Sequence, residues 1–263
     1  MTNRLGWLLS LALAVTVSAH ADEWKKVYPI SSKATIHVDT NDASIEVRAS
    51  DRKDVEARVL TEGYEIGPGK IRVTEHQTGD RIDLEVRRPV EHFVMNFRSR
   101  WVRIELYVPR DLILDLHSGD GHIRVDDVRG DVRLDTGDGH VEANRVDGNL
   151  HVHTGDGHVT VDGRFDDLDI RTSDGHVEAD VRAGSKVATS WSIRTGDGGV
   201  SLRLPDNLSA NLDLHTGDGR VTVDLPLTIS GTQSRSSLRG KLNNGGPLVE
   251  VRTGDGSIRV GRS

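Results

Sequence analysis

The sequence has no cysteine among its 263 residues. This absence excludes a disulfide scaffold, a thiolate zinc site and a cysteine nucleophile. Aromatic residues make up only 4% of the chain, which argues against a thick globular core. Basic residues are outnumbered, with 34 Lys and Arg against 41 Asp and Glu, and no basic patch is present, so the composition argues against a nucleic-acid partner. Repeated apolar stretches of about 20 residues are also lacking, which excludes a multi-span membrane protein.

The first 21 residues have the pattern of an export signal. Arg4 provides a positive charge, residues 5–17 form an apolar run, and Ala19-His20-Ala21 supplies small residues around a cleavage point. The apolar run is too short to span a bilayer comfortably. We therefore expect cleavage after Ala21. The mature chain, residues 22–263, is then expected to be periplasmic or extracellular, without a transmembrane span.

A short Thr/Ser-Gly-Asp-Gly motif recurs seven times along the chain, with Ser173 in place of the first glycine in the fourth copy. Its aspartates are spaced by 18, 18, 18, 23, 21 and 37 residues, and such regularity identifies an internal repeat. Thr40 begins a degenerate earlier copy. The composition suits a tight turn in which glycine adopts a positive φ. The predicted structural turn residues are Gly119, Asp120, Gly121, Gly137, Asp138, Gly139, Gly155, Asp156, Gly157, Asp174, Gly175, Gly196, Asp197, Gly198, Gly217, Asp218, Gly219, Gly254, Asp255 and Gly256.

Apolar and polar residues alternate on both sides of each motif, which is the period of a half-buried strand. Two architectures fit a unit of strand, turn, strand and turn: a meander of hairpins, or a solenoid in which each unit is one coil. Residues 18 apart are chemically alike, as in Val141, Val159 and Val177, and a solenoid stacks such residues about 4.8 Å apart. The predicted fold class is therefore all-β, a β-solenoid of stacked two-strand coils of about 18 residues. Its handedness is left open.

The rest of the chain is interpreted around this repeat. Residues 22–110 alternate less regularly and are expected to form a β-rich N-terminal cap, as solenoids need. Residues 111–263 are the repetitive solenoid, and the two regions form one continuous domain. The longer spacings indicate insertions, so we expect residues 183–191 and 226–247 to be loops that project from the stack.

The tandem T-G-D-G-x-[VI] turns resemble the DUF4097 family. The Val108-Pro109 pair that closes the last N-terminal strand and the Asn-Asn-Gly-Gly segment at residues 243–246 resemble it as well. The resemblance covers residues 35–261, and the family carries the label "putative adhesin". It implies a β-solenoid-like envelope or surface protein of unassigned biochemistry, because fold alone does not give function. The resemblance supplies no catalytic residues.

The sharpest candidate site is a row of histidines, one directly after the last glycine of each of four turns. Each histidine precedes an inward apolar residue and is therefore expected to point outward. Neutral imidazole suits zinc, copper and nickel, although tetrahedral ligation is awkward from one flat row, and a plain polar surface row is the alternative. The candidate metal ligands are His122, His140, His158 and His176.

The aspartate row also allows two interpretations. Calcium takes six to eight oxygens, so the row could chelate it, or each aspartate could accept backbone hydrogen bonds within its own turn. One acid per turn matches neither an EF-hand loop nor a nine-residue calcium repeat, which favours the structural role. The threonines at 136, 154, 172, 195, 216 and 253 are expected to form a hydroxyl ladder that closes the turns.

The predicted function is a non-catalytic exported envelope or surface protein with an adhesin-like binding or structural role. One alternative is a periplasmic divalent-metal-binding protein that uses the His and Asp rows. Another is a polysaccharide-active β-helix enzyme, but carboxylates and arginines recur along the whole stack without a single constellation, so no enzyme activity is expected. No cofactor is predicted. The expected partner is an envelope or surface ligand and no nucleic acid, and open solenoid ends permit a homo-oligomer.

Overall fold

The computed structural model describes residues 21–88, 100–230 and 233–263. Within these residues the chain is all-β, with 21 strands and no helix. Residues 1–20 of the expected export signal lie outside the described residues. The strands are β1 (Ala21–Pro29), β2 (Ala34–Thr40), β3 (Ser44–Ser50), β4 (Asp54–Glu62), β5 (Arg72–Thr78), β6 (Arg81–Arg87), β7 (Trp101–Pro109), β8 (Asp111–Ser118), β9 (Ile123–Asp126), β10 (Arg129–Thr136), β11 (Val141–Thr154), β12 (Val159–Asp174), β13 (Val177–Val181), β14 (Ser190–Asp197), β15 (Val200–Leu204), β16 (Ala210–Asp218), β17 (Val221–Val223), β18 (Leu227–Ile229), β19 (Ser237–Leu242), β20 (Leu248–Asp255) and β21 (Ile258–Arg262).

Strands one repeat apart lie side by side in parallel. In the ladder of β8, β10, β11 and β12, Thr136 is the register partner of Thr154, and Thr154 is the register partner of Thr172. A meander would place an antiparallel strand between successive repeats. Parallel pairing of residues 18 apart therefore excludes the meander here and is the arrangement of a solenoid-like stack.

Each repeat contributes to two such ladders. The first ladder contains the segment before each turn motif, as in β10, and the second contains the segment after it, as in β9 and β13. The strands β11 and β12, with 14 and 16 residues, are long enough to belong to both ladders. The Thr-Gly-Asp-Gly motif lies at the corner where the chain leaves the first ladder and enters the second.

The core is made of stacked aliphatic rows. Inward positions repeat the same residue type from coil to coil, as in Val141, Val159 and Val177, which are fully buried. Leu134, Val152 and Ile170 form a corresponding row in the first ladder. A core built from such rows needs few aromatic side chains, which accounts for the composition.

The parallel ladders continue into the N-terminal region. Strand β2 pairs with β8 and β6, and β3 pairs with β9 and β7, all in parallel. Thr40 is the register partner of Ser118, so the degenerate copy of the motif belongs to the same row. Antiparallel strands lie beyond these, with β5 on β6, β4 on β7 and β1 on β4. The capping role expected for residues 22–110 stays a prediction.

Ion pairs connect the outermost of these strands to its neighbour. Glu56 of β4 contacts Lys25 of β1 at 2.9 Å, Arg58 at 2.5 Å and Arg52 at 3.3 Å. Hydrogen bonds from Lys25 and then Arg58 lower the pKa of Glu56 from 4.5 to about 2. The carboxylate therefore stays ionised well below the pH at which an ordinary glutamate takes up a proton.

The C-terminal coils are not stacked in chain order. Strand β20 lies between β14 and β16, and β21 lies between β15 and β17. The aspartate row therefore runs Asp197, Asp255 and Asp218. The last coil of the sequence is thus an internal coil of the stack.

The expectation that residues 226–247 form a projecting loop is wrong. This stretch contains β18 and β19, and β19 pairs antiparallel with β16. Because the stretch is rich in polar residues, its alternation is hard to recognise in the sequence. In β19, Leu238 and Leu242 are buried at positions of the same inward-facing set. By contrast, residues 182–189 connect β13 to β14 without regular structure. The last two residues of the loop expected at 183–191 are not part of it, because Ser190 and Trp191 begin β14 and Trp191 is buried.

Candidate binding surface at and beside the repeated turn

The repeated turn is built on a row of buried hydroxyl groups. Except for Thr40, whose Oγ1 accepts from the N–H of Ala43, each hydroxyl donates to a backbone carbonyl oxygen of the adjacent coil, as in Thr136 Oγ1 to Gly121 O at 3.0 Å and Thr154 Oγ1 to Gly139 O at 3.1 Å. The predicted hydroxyl ladder is confirmed. Because the hydroxyl groups are buried and hydrogen-bonded, their role is structural. The row comprises Thr40, Ser118, Thr136, Thr154, Thr172, Thr195, Thr253 and Thr216.

Close contact between coils explains most of the turn glycines. A positive φ was expected, but among the glycines of the seven motifs only Gly198 and Gly256 have one, at 145° and 144°. A Cβ on Gly139 would lie 2.1 Å from the carbonyl oxygen of Gly121, and one on Gly157 would lie 2.0 Å from that of Gly139. The conformational explanation is therefore wrong for the other copies, where adjacent coils leave no room for a side chain.

The aspartate of each motif is exposed at the corner of the stack. Among the described residues, none of the seven side chains forms an ion pair or a hydrogen bond, so the expected backbone hydrogen bonds are not made there. The carboxylate leans toward the next coil: Asp120 Oδ1 lies 3.3 Å from the position that a Cβ of Gly137 would occupy. In the part of the chain that the structure describes, no group of three or more His, Asp or Glu side chains is placed to hold a metal ion.

The four histidines stack along the outside of the same corner. Ring centroids are 5.0 Å apart from His122 to His140 and from His140 to His158, and 5.5 Å apart from His158 to His176. Each Nδ1 accepts a hydrogen bond from the backbone N–H of the next coil, at 3.0, 3.0, 3.1 and 2.8 Å, and Gly199 donates the last of these. An Nδ1 that accepts a hydrogen bond places the proton of the neutral ring on Nε2.

This bonding pattern bears on the metal hypothesis. A metal ion needs the free lone pair of an imidazole nitrogen, and here the lone pair of Nδ1 is engaged while Nε2 carries the proton. Binding would therefore require the ring to give up either its ladder hydrogen bond or its Nε2 proton. Metal binding by the row stays a prediction, whereas the hydrogen bonds give the row a role in holding adjacent coils together.

A groove that sequence reasoning missed lies on the outer side of the first ladder. Its volume is about 430 Å³. Alternate residues of a strand face the same side, so the outward positions between the inward aliphatic rows of the 18-residue register are the sequence signal that places these side chains together. The polar residues that line the groove are Arg133 and Asp135 of β10, His151 and His153 of β11, and Asp169 and Arg171 of β12.

The sequence profile of the family described as Toastrack DUF4097 matches residues 34–164 and again 114–261. No curated protein matches the chain. A "putative adhesin" from Bacteroides fragilis has a similar structure, with a TM-score of 0.50 at 13% identity over 92% of this chain and 97% of that chain. A "putative cell adhesion protein" from Clostridium sporogenes gives a TM-score of 0.47 at 12% identity over 93% of this chain and 100% of that chain. A "putative lipid binding protein" from Parabacteroides distasonis gives 0.41 at 14% identity over 92% and 98%.

At these identities the likeness to the Bacteroides fragilis structure concerns the fold. In the residues that the structure describes, no helix has the length and apolar character needed to cross a membrane. The two stretches matched by the family profile together extend over residues 34–261, which is well over half of the chain. The protein therefore belongs to the Toastrack DUF4097 family.

Proposed function

We propose that this protein is a non-catalytic envelope or surface protein whose stacked strands display a binding surface. The observation that carries the proposal is the uninterrupted parallel ladder from β6 through β2, β8, β10, β11, β12, β14 and β20 to β16. Its outward side chains are presented at a fixed step of about 4.8 Å. Buried hydroxyls and tight glycine contacts fix the coils behind them, and a preorganised surface loses little entropy on binding.

The proposal includes the finer architecture. The chain is a β-solenoid with coils of about 18 residues joined by Thr-Gly-Asp-Gly turns, and residues 22–110 cap its first coils. The antiparallel strands β1 and β5 support this role, because each lies outside the last parallel strand of its ladder. A capping strand that pairs antiparallel breaks the repeat and so discourages further stacking on that edge.

Export to the periplasm or the cell surface is part of the same proposal. It is supported by the signal pattern of residues 1–21 and by the description of the similar Bacteroides fragilis structure as a "putative adhesin". The test is expression of the full chain in a Gram-negative host, followed by fractionation and N-terminal sequencing. Exported protein that begins at Asp22 is expected. Full-length protein retained in the cytoplasm would contradict export.

The binding role is tested with the mature chain. Co-sedimentation with isolated peptidoglycan, lipopolysaccharide and capsular polysaccharide, with and without added divalent metal ions, should retain the protein on at least one polymer. Reducing ends are measured in the same samples. Retention without sugar release is the expected result. Release of sugar would favour a polysaccharide-active enzyme instead, and failure to bind any of the polymers would contradict the binding role.

A further inference from the structure

The groove on the first ladder lies across three neighbouring coils. Arg133 is the register partner of His151, and His153 is the register partner of Arg171. The strands β10 and β12, which carry the two arginines, are two steps apart, or about 10 Å. The four side chains therefore form a diagonal of basic groups across an open groove of about 430 Å³.

Three of these basic side chains have no partner in the part of the chain that the structure describes. Within the described residues, Arg133, His151 and His153 form no hydrogen bond or ion pair, while Arg171 contacts only Asp169, at 3.1 Å. Arg133 and His153 are exposed and His151 is partly exposed. A guanidinium group offers five N–H donors in a fork that matches carboxylate geometry, so this groove has unused capacity for an anion.

Several charged and histidine side chains at neighbouring positions on the same ladder are already paired. On one side of the groove, His37 contacts Asp115 and His117 contacts Asp135, both at 3.2 Å. On the other side, Arg194 bonds to Glu250. The pairing of outward charges along the ladder is thus interrupted at the groove, which favours a binding role for these residues over a purely solvating one.

The groove also contains acceptors. Asp135 and Asp169 line it beside the basic diagonal, and carboxylates accept hydrogen bonds from hydroxyl groups. A ligand that satisfies both kinds of group carries anions for the arginine and hydroxyls for the aspartates. A sugar acid has this combination, and a fixed coil spacing suits a polymer with regularly repeated groups. We propose that the groove binds a carboxylated polysaccharide, with Arg133 as the main contact to a carboxylate and His151 and His153 as further donors.

This proposal rests on the proposed binding function and names its ligand class. The probe is polygalacturonate, titrated into the mature protein by isothermal calorimetry at low salt, with neutral dextran and long-chain polyphosphate as comparison polymers. Arg133→Gln should weaken binding about tenfold, since it removes one charged hydrogen-bonding group. The double variant His151→Gln/His153→Gln should weaken it as well. Because none of the three side chains has a partner, the variants are expected to keep the melting temperature of the wild type.

The matched control is Arg259→Gln. Arg259 is an exposed arginine on β21 of the second ladder, and it too forms no ion pair or hydrogen bond in the described residues. The Arg259→Gln substitution removes the same charge as Arg133→Gln. Equal weakening of polygalacturonate binding by the two variants would therefore show non-specific attraction and overturn the site. Polyphosphate binding as tight as polygalacturonate binding would overturn the role of the sugar hydroxyls. No binding of polygalacturonate would overturn the ligand class, whereas the proposed function fails only if every envelope polymer in the sedimentation assay is also unbound.

Discussion

Gly139→Ala isolates the physical reason for glycine in the repeated turn. The φ of Gly139 is not in the positive region, so an alanine should meet no conformational penalty at this position. Its methyl group would instead lie 2.1 Å from Gly121 O and 2.7 Å from Thr136 Oγ1. The substitution therefore tests contact between coils separately from backbone conformation.

The expected cost follows from the separation that the methyl group needs. Ordinary van der Waals contact begins near 3.4 Å, so the two coils must move apart by more than 1 Å at this corner. Overpacking of this kind costs about 1–3 kcal/mol. The same movement breaks the buried hydrogen bond from Thr136 Oγ1 to Gly121 O, now 3.0 Å, for about 1–3 kcal/mol more. We expect Gly139→Ala to lower the free energy of unfolding by about 2–6 kcal/mol.

Two glycines provide matched controls. Gly79 has a φ of 59° and no atom within 4 Å of its Cβ position, so Gly79→Ala should cost only the conformational term of about 1–2 kcal/mol. Gly261 has neither a positive φ nor a close neighbour, and Gly261→Ala should stay within about 0.5 kcal/mol. Thermal unfolding followed by circular dichroism should rank the three, with a shift of about 2–4 °C for each kcal/mol. A Gly139→Ala variant that melts with Gly261→Ala would refute the contact argument.

Three further predictions concern the hydroxyl ladder, the N-terminal edge and the histidine row. Thr154→Val should cost about 1–3 kcal/mol because it leaves a buried carbonyl without its donor, whereas Thr154→Ser should stay close to wild type; equal melting temperatures for the two variants would contradict the ladder. Glu56→Gln should flatten the acid side of the melting-temperature profile. The folded pKa of Glu56 is lowered from 4.5 to about 2, so its contribution to stability is complete above about pH 4.5 and is lost as the pH falls toward 2; superimposable profiles for variant and wild type would argue against a stabilising role of the Glu56 ion pairs. Calorimetric titration with Zn²⁺ should show binding that is micromolar or weaker, with equal heats for wild type and His140→Gln/His158→Gln; submicromolar binding lost in that variant would favour the metal hypothesis.

Periodicity in the sequence was sufficient to predict the strands of the repeats, the 18-residue register and the hydroxyl ladder of threonines. These features depend on alternation and on likeness between copies, both of which can be read directly. The role of Gly139 could not be read in the same way, because its constraint comes from a carbonyl oxygen of Gly121 in another coil. The turn composition pointed to local φ, which is the usual reason for glycine. A close approach between backbones appears only once the coils are stacked.

The histidine row shows that residue spacing also fails to predict the orientation of a side chain. Spacing predicted that His122, His140, His158 and His176 stack outward, and they do. Which ring nitrogen meets the backbone of the next coil depends on ring orientation, and residue spacing carries no information about it. Ring orientation decides whether the row is available to a metal ion. Because each Nδ1 already accepts a hydrogen bond from the next coil, the row is a hydrogen-bonded ladder, and a metal ion would have to compete with those bonds.

The order of the last coils could not have been derived from the repeats, because the repeats are alike. Thr195, Thr216 and Thr253 begin identical Thr-Gly-Asp-Gly motifs, so from the sequence alone each of their coils could pair with either of the others in the same register. The intervening strand β19 removes this degeneracy. A strand has two edges, and β19 occupies one edge of β16 by antiparallel pairing. The other edge of β16 is then available to a parallel partner, and β20 fills it between β16 and β14. The 37-residue spacing therefore contains the residues of β19, which covers the end of the first ladder at β16. The chain then returns as β20 and takes an internal position between β14 and β16.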